Sequence, residues 1–443
     1  MAQKATTTIK AISMFRITFI VLLLIFSNQI QANPAIKKVA EGVLQKLYKA
    51  NGNQIYLKPN IKIIDSEKDA ALFLRRANTI ELSQKAYAIC QSMGKDSLAA
   101  LAYVLGHELA HAYQKDLDAS STSFLAYDRH HDSSLFFEES ADVQGVFLAY
   151  LAGYKTTHIL KDLINRIYKD FDLPNELIGY PSLAERQNTT AKVEAMSTEL
   201  IRIYEAGNYL VSIEKYDFAV ACFEHVESWY KGREVYNNLG VSYTYLAMNF
   251  SPKNSEPFLF PLEISWTTRM KKPLGQRGGK DLSIEEQRLR RLYLQKAEDY
   301  FSIASKMNPR QVAPEINLMC VAILKGEAQQ AIEHYHSHDL AKRVRFEANN
   351  SATKQKVRLA LALAYSYNKE SDKAIRIWED IQATGKGLGT FQAEFNLKIQ
   401  NGEKCAAEDI ADCPEMPDAQ ILVDGVKLHR PQASANWIPM QSK

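Results

Sequence analysis

The apolar residues of this chain mostly recur every three or four positions, as they do on one face of an α-helix. The first such stretch covers residues 35–52 and predicts an amphipathic helix that ends at Gly52. Two short stretches rich in β-branched residues follow, IKIID (residues 61–65) and NTIELS (residues 78–83), and predict strands. We expect NTIELS to form the free edge of a small sheet, where a peptide could add as a further strand; an ordinary interior strand is the alternative.

Two longer and more apolar stretches predict core helices at residues 96–114 and 135–153. The candidate N-caps of these two helices are Asp96, Ser97, Ser133 and Ser134. After about Asp96 the chain shows almost no further strand pattern. We therefore predict a mainly α (α+β) fold.

The second half of the chain contains an internal helical repeat. Ala297, Phe301, Ala304 and Pro309 have the spacing of a tetratricopeptide repeat, and Ala331 lies one 34-residue period after Ala297. Similar small and aromatic residues recur at Tyr335, Ala219 with Phe223, Ala374 with Trp378, Leu239 with Gly240 and Tyr243, and Leu361 with Ala362 and Tyr365. Small residues let two helices approach while the aromatic ring fills the gap to the next pair. Generic helical hairpins are the alternative.

These patterns divide the chain into four parts. We expect a signal peptide at residues 1–32, a first folded domain at 33–190, an all-α repeat solenoid at 191–400 and a tail at 401–443. Pro-, Gly- and Lys-rich sequence at about residues 251–284 breaks the repeat period and predicts an insertion loop.

The amino terminus has the layout of a secretory signal. Lys4, Lys10 and Arg16 precede about ten apolar residues at 17–26, and the small residue Ala32 offers a cleavage site. An uncleaved anchor is the alternative, but it needs roughly 20 apolar residues. We therefore expect an exported, periplasmic protein with no membrane span in the mature chain.

Charge and cysteine usage fit export. Removing residues 1–32 takes away three of the 54 basic residues and none of the 51 acidic ones, so the mature chain is neutral and we expect no nucleic-acid partner. Cys405 and Cys413 are spaced to close a short disulfide loop, with two exposed thiols as the alternative. The other cysteines, in apolar contexts typical of small buried residues, are Cys90, Cys222 and Cys320.

The sequence LGHELAHAYQ, residues 105–114, places three ionisable groups in an apolar helix: His107, Glu108 and His111. Residues four apart share a helix face, so both imidazoles can bind one cation with Glu108 beside them. Two neutral imidazoles suit Zn²⁺, and a catalytic zinc site needs a third protein ligand. A histidine pair in an ordinary core, the alternative, would bury three titratable groups without a metal, which is costly.

The next apolar helix supplies candidates for the third ligand. Glu138 and Asp142 are four residues apart and share a face, so one carboxylate can bind the metal while the other orients a ligand histidine. Glu139 points about 100° away and is the weaker candidate.

The HExxH motif, the E-x2-A-D sequence that begins at Glu138, the sequence LAGY at 151–154, and Pro181 followed by Arg186 together resemble a known family. They are similar to the gluzincin peptidases that include the CAAX prenyl endopeptidase and the bacterial heat-shock membrane protease. The export signal and C-terminal repeats resemble the soluble exported branch of that family, which includes the periplasmic β-barrel assembly-enhancing proteases.

The resemblance implies a zincin-like catalytic domain with a small sheet, the HExxH active-site helix and one Zn²⁺. It assigns the roles of metal ligand to His107, His111 and Glu138, of general base to Glu108, and of support for a ligand histidine, His107 in our expectation, to Asp142. The connection between the two motif helices is shorter than in many relatives, and Tyr180 stands where exported relatives often have histidine.

Other polar residues near the motifs are weaker candidates. Tyr180 and Arg186 could donate to the oxyanion or contact substrate; packing at a turn and a structural ion pair are the respective alternatives. His130 and His131 could block the water position, although two histidines in a polar loop are more often solvated.

We therefore predict an exported zinc endopeptidase that cleaves protein or peptide substrates, with a repeat array that docks substrates or a protein partner, in envelope protein quality control. The alternative is a binding or chaperone-like scaffold with a latent peptidase domain.

Overall fold

The structure, a computed structural model, describes residues 34–114, 121–123, 132–172, 182–252, 258–262, 281–346, 350–384, 388–403, 419–423, 426–430 and 438–439. It is mainly helical with small sheets, as the sequence predicts for the fold class. The described residues fall into two compact units. The first lies within Met1–Ala50 and Tyr56–Ser197, and the second within Asn51–Ile55 and Thr198–Lys443.

The first unit begins with α1 (residues 34–51), which ends before Gly52 in the left-handed conformation, as predicted. Its strands are β1 (Asn60–Ile64), β2 (Ala71–Leu74), β3 (Thr79–Ser83) and β4 (Ser121–Ser123). Its further helices are α2 (Gln84–Ser92), α3 (Ser97–Tyr113), α4 (Asp132–Leu151), α5 (Leu160–Asp170) and the first part of α6 (Leu183–Ser212). Helix α4 begins slightly earlier than predicted, so Ser133 and Ser134 lie inside it.

The four strands form one sheet in the order β1-β3-β2-β4. Strand β3 is parallel to β1 and antiparallel to β2, with Ile80 opposite both Ile61 and Phe73. These three side chains are buried on one face of the sheet. The prediction that NTIELS forms the free edge is therefore wrong: β3 is an interior strand, and β4 and β1 are the edges.

Helix α3 is the centre of the first unit. Every residue from Ala99 to His111 is buried, so the helix is covered on all sides. It packs on β2, α2 and α4. This position explains why its sequence is apolar all round, and it makes the charged motif within it exceptional.

The second unit continues with helices that pack on their neighbours along the chain. They are α7 (Tyr216–Trp229), α8 (Arg233–Met248), α9 (Ile284–Met307), α10 (Ala313–Lys325), α11 (Ala328–Ser337), α12 (Leu340–Arg343), α13 (Asn350–Tyr367), α14 (Ser371–Thr384) and α15 (Leu388–Gln400). A capping box between Ser283 and Glu286 starts α9.

The repeat residues pack as the small-and-aromatic pattern predicts. Phe301 of α9 lies over Gly240 of α8, where an added Cβ would stand 2.5 Å from the ring. Phe223 of α7 covers Gly207 of α6 in the same way, at 2.8 Å. Ala297, Ala304, Ala331 and Ala374 are all buried. Close helix contacts at small residues thus build the core of this unit.

Three short antiparallel strands lie in the predicted tail: β5 (Ala419–Val423), β6 (Val426–Arg430) and β7 (Ile438–Pro439). The sequence patterns do not predict them. Within the described part of the chain, no helix combines the length and the apolar character that a membrane span requires. The predicted signal peptide and the pair Cys405 and Cys413 lie outside the described residues.

Candidate metal centre

Helices α3 and α4 cross at two glycines, Gly106 and Gly145. A Cβ added to Gly106 would stand 2.9 Å from the carbonyl oxygen of Gly145, and one added to Gly145 would stand 2.7 Å from the backbone nitrogen of His107. Only glycine allows two backbones to approach this closely. The crossing brings the polar face of α4 against the histidines of α3.

Three side chains converge beside this crossing. The Nε2 atoms of His107 and His111 lie 3.0 Å apart. Glu138 of α4 places one carboxylate oxygen 3.3 Å from His107 Nε2 and the other 3.4 Å from His111 Nε2. These three residues could therefore hold a metal ion, as the sequence predicts.

The spacing of the donor atoms fits a four-coordinate ion. With metal–ligand bonds of about 2.0–2.1 Å, the ligand atoms of a regular tetrahedron lie roughly 3.3 Å apart. The separation of the two Nε2 atoms and the shortest approach of Glu138 to each ring lie close to that value, the two approaches being made by different carboxylate oxygens. Two imidazoles and one carboxylate would give such an ion three protein ligands, which is the number found in catalytic zinc sites.

Asp142 lies one turn after Glu138 and supports His107 from behind. Its Oδ1 is 2.8 Å from His107 Nδ1 and accepts a 2.7 Å hydrogen bond from the Tyr103 hydroxyl. Arg186 of α6 donates to the same carboxylate at 3.0–3.2 Å. An ionised carboxylate can only accept hydrogen bonds, so His107 Nδ1 carries a hydrogen and donates it to Asp142. The other ring nitrogen, Nε2, faces His111 and Glu138.

Gln114 gives His111 the corresponding support. Its Oε1 lies 2.8 Å from His111 Nδ1, and its Nε2 donates to the carbonyl oxygen of Phe137 at 3.0 Å. The amide oxygen is therefore the acceptor, His111 Nδ1 carries the hydrogen, and Nε2 is directed to Glu138. One side chain thus joins a histidine of α3 to the backbone beside Glu138.

The charges of this buried network shift the pKa values of its members. Burial lowers the pKa of His107, but the hydrogen bond and charge of Asp142, together with Glu138, outweigh burial and raise the pKa to about 10. Burial raises the pKa of Glu138, yet the charges and hydrogen bonds of His111 and His107 lower it to about 2. The Arg186 guanidinium and His107 hold the pKa of Asp142 well below its usual range, against the effect of burial. Both carboxylates are therefore ionised at neutral pH.

The remaining predicted residues separate into two groups. Glu108 is completely buried on α3, next to His107 in the sequence. Glu139 points away and pairs with Lys192 at 2.6 Å, as helix geometry predicts. Arg186 is buried on Asp142, which is the structural ion-pair alternative, and a capping box between Ser182 and Glu185 begins its helix. Tyr180, Pro181, His130 and His131 lie outside the described residues.

Sequence reasoning missed Tyr103, Gln114 and the glycine crossing. A signal existed for Tyr103, which precedes His107 by one helical turn and therefore shares its face. Gln114 follows His111 by three positions, which also places the two on one face. The two glycines stand inside apolar helices, where glycine is unfavourable unless a close contact requires it.

A second group of possible ligands lies on the second unit: Glu315, His334 and His338. Glu315 already accepts from Arg343 at 2.9 Å, from His334 at 2.8 Å and from Ser305 at 3.0 Å. The positive charge of Arg343 neutralises this buried carboxylate. We therefore interpret the group as an ion-pair network that joins α9, α10, α11 and α12.

A scan against models of known protein families gives no match to this chain, and neither does a search of curated protein sequences.

Proposed function

We propose that the chain is an exported, zinc-dependent endopeptidase whose helical second unit, a tetratricopeptide-like array, docks protein substrates or a protein partner. The observation that carries the proposal is the convergence of His107, His111 and Glu138: the two Nε2 atoms lie 3.0 Å apart, and the two carboxylate oxygens of Glu138 lie 3.3 and 3.4 Å from them, one oxygen to each ring. Two neutral imidazoles and one carboxylate favour zinc over the harder cations magnesium and calcium.

When bound, zinc would act as a Lewis acid that lowers the pKa of a water molecule and polarises a peptide carbonyl. The chain's own residues supply the rest. In the proposal Glu108, the residue after His107, takes a proton from the attacking water and returns it to the leaving amine. Asp142 and Gln114 hold the two rings so that each Nε2 points to the same place.

The sheet offers a place for an extended substrate. Strand β4 is an edge strand, contacts α3, and lies in the sequence between the two helices that carry the ligands. A peptide that adds to its free edge would run beside the HExxH helix, with main-chain hydrogen bonds giving affinity. In the proposal β4, and not NTIELS, is therefore the edge strand to which an extended peptide substrate adds.

The direct test compares Glu108→Gln with Glu139→Gln, which removes the neighbouring carboxylate that pairs with Lys192. The first variant should keep one zinc per chain and lose at least a thousandfold of caseinolytic activity; the second should keep both. Chelation should abolish the activity of the wild type, and Zn²⁺ should restore it. Unchanged cleavage by Glu108→Gln would refute the proposal.

A second candidate function, a chaperone-like scaffold with a latent peptidase unit, is favoured by one observation. The side chains of His107, Glu108 and His111 are 0% exposed, so a substrate carbonyl reaches them only after the site opens. A His107→Ala variant decides between the two functions in a host that lacks the chain. Full rescue by this variant supports the scaffold.

A further inference from the structure

Residues 258–262, FLFPL, form an internal segment of the second unit that is neither helix nor strand. They follow α8 and lie in the predicted insertion, far in sequence from the helices that hold them. Phe258, Leu259 and Phe260 are buried in one cluster with side chains of α10, α11, α13, α14 and α15. We call residues 258–262 the resident segment.

A single asparagine holds the backbone of the resident segment. The N–H of Leu259 donates to Asn396 Oδ1 at 2.7 Å, and Asn396 Nδ2 donates to the carbonyl oxygen of Leu259 at 3.0 Å. In an antiparallel sheet, two residues opposite each other exchange an equivalent pair of N–H···O=C hydrogen bonds. Asn396 therefore recognises the peptide backbone at Leu259, and a proline at this position would lack the N–H that Asn396 accepts.

Gln392 lies one turn before Asn396 on α15 and continues this contact. Its Nε2 donates to the carbonyl oxygen of Phe260 at 3.5 Å, near the limit of a hydrogen bond. Gln392 is only 5% exposed, and its Oε1 accepts no hydrogen bond from the described residues. A buried acceptor without a partner is unfavourable, so the resident segment satisfies this site incompletely.

Aromatic side chains provide the selectivity of the same surface. The ring of Phe258 lies 5.7 Å from the ring of Tyr367 and 5.7 Å from that of Trp378, measured between centroids. Phe260 lies 6.2 Å from Tyr367. The surface therefore accommodates two aromatic side chains two positions apart in the sequence.

We propose that Asn396, Gln392, Trp378 and Tyr367 form a docking site for extended, aromatic-rich segments of unfolded polypeptide, and that the resident segment is the internal ligand which such a segment displaces. The inference deepens the docking role proposed above for the second unit, on which it rests, and is independent of the metal centre. Because the resident segment belongs to the same chain, it competes with every incoming segment, which must therefore bind more strongly than the resident segment does.

The test uses the full chain and a fluorescent peptide with the sequence of residues 254–263, followed by anisotropy. Leu259→Pro removes the N–H that Asn396 accepts and weakens the resident segment alone. This variant should bind the peptide at least tenfold more tightly than the wild type. Asn396→Ala in the same background should abolish binding, whereas Asn401→Ala, an exposed asparagine just past α15, should not. A peptide with proline in place of the central leucine should not bind.

Absence of binding to the Leu259→Pro variant, or binding that survives Asn396→Ala, overturns the proposal. If Leu259→Pro does not fold, hydrogen exchange of the wild type decides. The amides of residues 258–260 should exchange at least tenfold faster than those of Leu361 and Leu363 in α13, and excess peptide should accelerate them further. Protection equal to that of α13, unaffected by peptide, would show a permanent core element. Loss of metal-dependent proteolysis with intact peptide binding would refute only the peptidase function.

Discussion

Gly145 lies so close to His107 that a Cβ added to the glycine would stand 2.7 Å from the backbone nitrogen of the histidine. The position of a candidate metal ligand on one helix is therefore set by the absence of a side chain on the other. This contact fixes how far α4, and with it Glu138, lies from the two imidazoles.

Gly145→Ala should push α4 away from α3, because the obstacle is backbone and not a flexible side chain. Overpacking of this kind costs about 1–3 kcal/mol of unfolding free energy, and zinc affinity should fall as Glu138 is displaced. Gly42→Ala is the matched control, since an added Cβ meets nothing within 4 Å on the exposed face of α1. It should stabilise the protein by about 0.5–1 kcal/mol. Urea unfolding and competition with a chelator measure the two effects; equal stability of both variants would contradict the argument.

Gln114→Leu should weaken zinc binding about 10–100-fold, since residues that support a ligand histidine typically contribute this much. The variant removes the acceptor of His111 Nδ1 and the bond to Phe137. Gln114→Glu keeps an acceptor for the ring and should lose less affinity. Gln91→Leu, which removes a hydrogen bond to Tyr87 on α2, should leave zinc affinity unchanged. An affinity of Gln114→Leu equal to that of wild type would show that the amide is not a support.

Arg186→Met should destabilise the first unit by about 3 kcal/mol, because it leaves Asp142 as a buried charge with its main counterion removed. The control is Arg166→Met, which breaks the part-exposed pair with Asp162 at 3.1 Å and should cost less than about 1 kcal/mol. Chemical denaturation followed by circular dichroism compares the two. Equally small losses of unfolding free energy in the two variants would mean that the buried charge of Asp142 does not need Arg186 as its counterion.

The metal-free protein should lose stability as the pH rises above neutrality. The pKa of His107 is raised to about 10, so its contribution is fully present below its ordinary pKa near 6.5 and is lost as pH rises through about 10. Unfolding free energies in EDTA at pH 7, 8 and 9 should therefore decline, and the decline should be smaller in His107→Gln. Saturating Zn²⁺ should remove it, because a coordinated Nε2 carries no proton. The same slope in His107→Gln would assign the effect to other groups.

The local part of the site follows from the sequence. His107 and His111 share a face because they are four residues apart, and Glu138 and Asp142 do so for the same reason. Helix geometry alone does not decide which of the two acids faces the Nε2 atoms and which supports a ring at Nδ1. It depends on where α4 crosses α3, and that is decided by two glycines about forty residues apart in the chain.

The order of the strands in the sheet is likewise not determined by the local sequence pattern. IKIID and NTIELS are recognisable strands, but their order is not local. The strand β2 between them is only four residues long and carries no clear alternation, yet it pairs with β3 and makes β3 interior. The short strands β5 to β7 were missed because the repeat pattern ends before them.

The three cysteines among the described residues are not part of the candidate metal centre. Cys90 and Cys320 are buried and Cys222 is half-buried, and burial raises the pKa of Cys90 to about 12. A folded molecule therefore offers almost no thiolate at Cys90 to an oxidising medium. Scrambled disulfides at this residue would arise only while the chain is unfolded, so laboratory refolding should begin with a reductant that is withdrawn after the helices have assembled.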